Sequence, residues 1–268
     1  MIESVKYVVN QHTKNIYRIL AITRYEVISE NRDAYLGALW NIISPLMQIG
    51  TYWFVFGLGI RGGEPVNGIP YLQWMLSGLI VWFFISACIR KGTTAISSKM
   101  SIIEKIKFPV SILVSTVVLG ELVNHLIMIA IAYFIFLIQG YKPDIMNLQL
   151  IYYLFCGIAF SISFGLVFSS LNMLARDVKN LINSVMRMLF YVTPILWTME
   201  NLPEPIQFLM QCNPIYYIVE GYRESFFPGN LNSIDIYTTI IFWIITLTLF
   251  LYGCKLMYKN RFKFVDLA

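Results

Sequence analysis

Charge is what this chain has least of. Of its 268 residues only 13% are charged and 57% are hydrophobic, and an ordinary soluble domain of that make-up would expose apolar surface that drives association in water. Histidine is nearly missing, with two residues, and the four cysteines, Cys88, Cys156, Cys212 and Cys254, stand far apart. That scatter supplies no metal or redox spacing and argues against a disulfide framework. No GxxxxGK(S/T) run occurs, so the chain has no P-loop and energy from ATP would need a second polypeptide. There is no HExxH, and no pair of carboxylates at helical spacing lies inside an apolar run, which argues against a membrane enzyme acting on a lipid-linked substrate.

Long uncharged runs take the place of charge. Residues 36–60, 66–89, 122–140, 145–175, 188–199 and 236–254 form six candidate membrane segments. All but the fifth are long enough, at ~20 residues per helix, to cross ~30 Å of hydrocarbon. Lysine and arginine mark alternate gaps: 17 of the 20 fall in residues 1–35, 90–107, 176–187 and the tail from Lys255. The other gaps hold Arg61, Lys142 and Arg223 against seven carboxylates, Glu64, Asp144, Glu200, Glu204, Glu220, Glu224 and Asp235. The excess of positive charge on one side predicts six passes with both termini cytoplasmic. The net charge of +5 then reflects topology, and no nucleic-acid partner is expected. Once six spans are subtracted, no piece is left that could fold as a soluble catalytic domain of ~100 residues. Residues 1–15 carry Glu3, Lys6, His12 and Lys14 without an apolar run, so the first span is expected to act as its own insertion signal.

The interruptions are informative. Over residues 15–28, helical spacing places Ile16, Ile19, Leu20, Thr23 and Val27 on one face with Arg18 and Glu26 off it, predicting an amphipathic helix along the inner membrane surface. A helix packed on a soluble partner is the alternative. Residues 91–104 can form a short polar helix projecting into the cytoplasm, ended by Phe108-Pro109, with a solvated basic loop as the plainer reading. Pro194, Pro203, Pro205 and Pro214 break the run from 193 to 217, so it cannot be one straight helix. The fifth span is expected from about Lys179 to about Trp197, with residues 205–211 dipping back as a half-helix from the outer side. Irregular backbone at membrane depth persists only when buried in protein or beside water, which makes this a candidate gate, with a mobile external loop as the alternative.

Few ionisable groups lie inside the runs. Glu121 and His125, near the start of the third span with Asn124 between them, share a face at i, i+4 and could relay protons or tie helices together. Asn183, Arg187 and Tyr191 repeat every four residues along the fifth span. There Arg187 either meets an anionic substrate or snorkels to the inner interface. Aromatic residues make up 16% of the chain. The first span holds Trp40, Tyr52, Trp53, Phe54 and Phe56 and the second Trp74, Trp82, Phe83 and Phe84. Those at span ends belong to interface belts, those toward the middle are candidates to line a passage and meet sugar faces, and the sequence does not separate the two sets.

Several short motifs in order carry a family resemblance: Leu36-Gly37-Ala38-Leu39-Trp40, Ser44-Pro45-Leu46, Phe108-Pro109, Arg176-Asp177, Tyr191-Val192-Thr193-Pro194-Ile195 and Asn213-Pro214. Across essentially the whole chain it resembles the permease subunits of ABC-2 type polysaccharide exporters. The stretches 31–40 and 52–61 are most similar to the wall teichoic acid branch of Gram-positive bacteria, with O-antigen or capsule exporters as the nearest alternative and a proton-coupled secondary transporter as a more distant one.

The resemblance implies an all-α polytopic fold in the bacterial plasma membrane: an interface helix in residues 1–35, a six-span domain in 36–257, extracellular re-entrant half-helices after the fifth span, and a basic tail in 258–268. It implies a homodimer joined to two ATPase subunits, which alone bind ATP and Mg, exporting a polymer on an undecaprenyl diphosphate lipid. Thr94, Ser98, Lys99, Ile103, Glu104, Arg176 and Asp177 would contact the ATPase. Trp40, Tyr52, Phe56, Asn183, Arg187 and Tyr191 would line the conduit, and Pro194, Pro203, Pro205, Asn213 and Pro214 would form the exit gate. ATP binding in the partner is expected to draw the cytoplasmic helices together and change the separation of spans one and five.

Overall fold

A computed structural model describes residues 1–30, 35–60, 62–100, 109–200, 202–229 and 235–261, and these are organised as helices. Two of them, α1 (Ile2–Lys14) and α2 (Ile16–Ser29), precede the apolar part. Next come α3 (Trp40–Tyr52), which widens into π-helical turns over Trp53–Ile60, then α4 (Tyr71–Thr93), α5 (Ile112–Ile138) and α6 (Gln149–Leu174). The rest comprises α7 (Asp177–Val192), α8 (Glu204–Gln211), α9 (Pro214–Phe226) and α10 (Ile236–Asn260).

Among the described residues, five stretches are long and apolar enough to cross a membrane: α3 with its extension, α4, α5, α6 with the turn before it, and α10. The protein is thus an all-helical polytopic membrane protein. α4 is its axis, packing against α5, α6, α7 and α9, with nearly every side chain from Trp74 to Ile89 buried. Phe134, Ile138, Ile151, Phe155, Ile244 and Leu247 point outward, as befits helices solvated by lipid chains on one side.

Several boundaries depart from the sequence reading. α5 begins ten residues before the expected 122, because the apolar run of residues 112–120 continues through Glu121, whose charge is met by Lys91 at 2.5 Å. Glu121 and His125 therefore lie in the middle of a span. α4 extends through Thr93, so Arg90 and Lys91 belong to its last turn and not to a separate loop helix. α7 has only 16 residues, about 24 Å at 1.5 Å per residue, and ends at Val192 instead of near Trp197. Thr193 takes an extended backbone, φ −71° and ψ 133°, as the residue before a proline must to avoid its ring.

The N-terminal part is also different. It holds two helices, the first hidden from sequence reading because its apolar positions are interspersed with Glu3, Lys6 and polar residues. α1 packs along the end of α10, with Tyr7 edge-on to Tyr258 at 5.5 Å and Val8 buried in a cluster with Cys254 and Met257. α2 packs on α5, burying Ile19 and Thr23 and bonding the Thr23 hydroxyl to the Thr116 carbonyl at 3.3 Å. Ile16 and Leu20, expected on the membrane-facing side, are exposed, whereas Glu26, expected off the apolar face, reaches inward to Lys99.

Beyond α7, the element that goes deep is α9. Asn213 caps it by accepting from the Ile215 N–H at 3.0 Å, and Pro214 occupies the first turn, where a missing N–H costs nothing. Its Tyr222 reaches His125 at mid-α5. α8, expected to be the inserted half-helix, buries no residue.

Candidate functional site: a basic end, an uncovered wall and an acidic end

At the end rich in lysine and arginine, α4 passes into a short turn, Ser97–Lys99. Lys99 is paired with Glu26 of α2, and Lys91 with both Glu30 and Glu121. Thr94 and Ser98 bond back to the carbonyls of Lys91 and Ala95 at 3.1 and 3.4 Å. Asn172, which sequence reasoning did not single out, bridges this turn to α7: its amide donates to Ser97 Oγ at 3.0 Å while its carbonyl accepts from the Lys179 N–H at 3.2 Å. Thr94, Ser98 and Lys99 are thereby joined to the start of α7, where Arg176 and Asp177 are exposed. Ile103, Glu104 and Phe108 lie outside the described residues. A soluble partner pressing on this surface would move α2, α4 and α7 together.

The six expected conduit residues fall on two neighbouring helices. Along α3, Trp40 and Tyr52 lie on one groove-lined face with Ser44, Met47, Gln48 and Thr51. Tyr52 packs on Phe190 of α7 with ring centroids 5.2 Å apart, and Phe190 in turn on Trp82 of α4. On α7, Asn183 is half-buried, whereas Arg187 and Tyr191 are exposed, with Arg187 donating to Ser184 Oγ at 3.0 Å. Phe56 is half-buried against the core. In α3 itself only Ile49 is buried. The α3 groove thus presents aromatic rings beside hydroxyl and amide groups, and α7 presents Arg187 and Tyr191 on its exposed side.

A second cavity of about 280 Å³ opens between α3, α4 and α5. Asn41 of α3 donates to Asn124 of α5 across it at 3.2 Å. Glu121 and His125 both line it but have separate partners: Glu121 faces Lys91, and His125 bonds the Tyr222 hydroxyl at 2.9 Å and stacks on Phe84 at 4.5 Å. Each is tied to a different helix, an arrangement suited to interhelical adhesion.

At the opposite, acidic end, the broken segment is held by a residue that sequence reading counted as a loop charge. Arg223 of α9 has no exposed surface. Its guanidinium donates to the carbonyls of Pro194 and Ile195 at 2.9 and 2.7 Å, pairs with Glu220 at 2.6 Å and lies 3.7 Å from the Trp74 ring centre. These carbonyls have no helical donors because α7 ends just before them, so Arg223 serves the break itself. Gly78 gives it room: a Cβ there would sit 2.8 Å from Arg223 Nη2. The signal in the sequence was a cation three residues after Glu220 in an aromatic helix, but the break it serves is remote in sequence. Of the expected gate residues, Pro194 is buried against Arg223, and Asn213 donates to Thr193 Oγ1 at 3.0 Å while Pro214 opens α9. Pro203 and Pro205 are exposed at the start of α8.

The family model of the ABC-2 type transporter matches residues 17–227, from α2 through α9. The chain belongs to the ABC-2 type transporter family. It is similar to the O-antigen export system permease protein RfbA of Klebsiella pneumoniae, 26% identical over 237 residues that cover 87% of this chain and 90% of the relative. It is also similar to the polysialic acid transport protein KpsM of Escherichia coli, 24% identical over 219 residues covering 78% and 83%. The inner membrane transport permease YadH of Escherichia coli (strain K12) is 23% identical over 233 residues, covering 82% and 88%. These ABC-2 relatives are membrane permeases, and this chain is a multi-pass member of the same family.

Proposed function

We propose that the chain is the permease subunit of an ATP-driven exporter that moves a lipid-linked polysaccharide outward across the bacterial plasma membrane. Two copies of this chain join two ATPase subunits, with the basic end in the cytoplasm. The observation that carries this reading is the uncovered wall of α3 and α7. Trp40, Ser44, Gln48, Thr51, Tyr52, Arg187 and Tyr191 offer flat aromatic faces and hydrogen-bonding groups at membrane depth, which suit glycosyl units better than lipid chains. A second copy would close the wall into a passage, and the turn Ser97–Lys99 with Arg176 and Asp177 would receive the ATPase. Against the proton-coupled alternative stand the separate partners of Glu121 and His125.

The similarity to RfbA and KpsM favours O-antigen or capsular cargo, while the likeness of residues 31–40 and 52–61 to teichoic acid permeases favours an anionic polyol-phosphate chain on undecaprenyl diphosphate. Arg187 would serve the latter by meeting phosphate oxygens. Export decides between them. The chain and its ATPase, expressed in strains that each lack one exporter, should restore surface delivery of a single polymer class. Restoration of none, with stable protein present, would overturn the export reading.

A further inference from the structure

The acidic end holds a cavity of about 140 Å³ between the start of α4, the 194–200 segment, α8, α9 and the start of α10. Its size is close to that of the ~150 Å³ engineered cavity that admits a benzene ring, so it takes one face of a six-membered ring while the ring's outer substituents stay on the open side. Trp197 and Tyr216 supply flat apolar faces, Gln211 supplies an amide that both donates and accepts, and the Gln207 amide donates to the Leu202 carbonyl at 2.8 Å with its own oxygen left to accept. Arg223 lines it fully buried, and its Nε–H has no hydrogen-bond partner among the described residues. A buried donor of this kind lacks an acceptor, and a ring hydroxyl is one.

Charge narrows the ligand. Three carboxylates, Glu200, Glu220 and Asp235, line the cavity, and Arg223 neutralises only Glu220. The Asn67 amide donates to Glu200 at 3.2 Å, leaving its charge in place. The remaining field opposes phosphate and carboxylate groups.

We propose that this cavity is a binding subsite for a single uncharged pyranose unit, holding the ring against Trp197 and Tyr216 as it leaves the passage. The inference rests on the export reading for the source of that ring. It also makes the acidic end selective: neutral glycosyl units rest there, whereas a polyol-phosphate chain is repelled.

The test uses the full chain in lipid nanodiscs, titrated with methyl glycosides of glucose, mannose and N-acetylglucosamine and, separately, with glycerol 3-phosphate, read by tryptophan fluorescence and saturation-transfer NMR. At least one neutral glycoside should give a saturable response, and glycerol 3-phosphate none at the same concentrations. Trp197→Ala should weaken the glycoside about fivefold. If that variant does not elute as a folded species, Gln207→Ala on the exposed α8 takes its place, with a weaker loss in the same direction. No saturable response by the folded chain, or glycerol 3-phosphate binding as tightly as the glycosides, overturns the subsite. ATP hydrolysis by the permease–ATPase complex is measured in parallel. Hydrolysis without glycoside binding removes the subsite alone; glycoside binding without any ATPase complex removes the export reading and leaves the subsite standing.

Discussion

Arg223 carries a full charge with no exposed surface, and its partners explain how. Two orphan carbonyls, one carboxylate and one indole face surround it, so removing the side chain would leave Glu220 and both carbonyls without their donor. Breaking a buried pair of this kind costs about 3–5 kcal/mol. Arg223→Ala should therefore lower the thermal midpoint of the purified permease sharply and reduce its yield, measured by fluorescence-detected size exclusion after heating. Gly78→Ala should act in the same direction and more mildly, by about 1–3 kcal/mol, since the guanidinium must shift to admit a methyl. Arg187 makes the opposite case. It is exposed and bonds only its neighbour Ser184 among the described residues, so Arg187→Ala should leave protein level and thermal midpoint unchanged while slowing polymer export. Export at the full rate would remove it from the passage. Sequence alone singled out one of these two arginines and not the other. Arg187 stood out because it recurs with Asn183 and Tyr191 at helical spacing, whereas Arg223 was read as topology because its partners are some thirty and some 150 residues away in the chain.

Helices α2, α4 and α7 meet at the basic end through a few polar contacts. Lys99–Glu26 fastens the turn after α4 to α2, and Asn172 fastens it to α7. Lys99→Glu should uncouple the elements, so that ATP hydrolysis by the complex continues while export falls; adding Glu26→Lys should recover export by restoring the pair with reversed signs. Failure of the double variant to recover would mean that Lys99 acts directly on the ATPase instead. At the other end, Asn213→Ala removes the cap of α9 and its bond to Thr193. The cap alone is worth about 1 kcal/mol, and the loss should appear as faster hydrogen exchange in residues 214–218. At this scale the sequence was readable wherever apolar runs were uninterrupted: the spans near 36–60, 66–89, 145–175 and 236–254 are each present to within a turn or two. It was misread where tertiary pairing overrides local pattern. Glu121 seemed to delimit a span because Lys91 was not visible as its counterion, and α1 was missed because its burial depends on α10. Prolines 203 and 205 drew attention to α8, although the deeply buried helix is the one that Asn213 and Pro214 begin.

For the molecule as a whole, the uneven covering of its helices is the main functional statement. α4 is enclosed on all sides, while α3 touches little, meets α7 through Tyr52 and Phe190, and lines a groove with aromatic rings, hydroxyls and an amide. The proposed pairing of two copies would set these faces toward each other across the passage. The charge pattern read from the sequence is consistent with this arrangement, since the basic and acidic ends of the structure hold the loops assigned to opposite sides. The family membership was legible from short motifs at the helix ends; the cargo was not, because the residues that meet it are spread over separate helices and a second copy. The most direct measurement is reconstitution: the permease, copurified with the ATPase from its own genome, is placed in vesicles with lipid-linked polysaccharide, and ATP hydrolysis and polymer delivery are followed together. A dimeric permease holding two ATPase subunits, with delivery that requires ATP, is the predicted result. A folded permease that retains no ATPase, or that moves polymer on a proton gradient without ATP, would contradict the account.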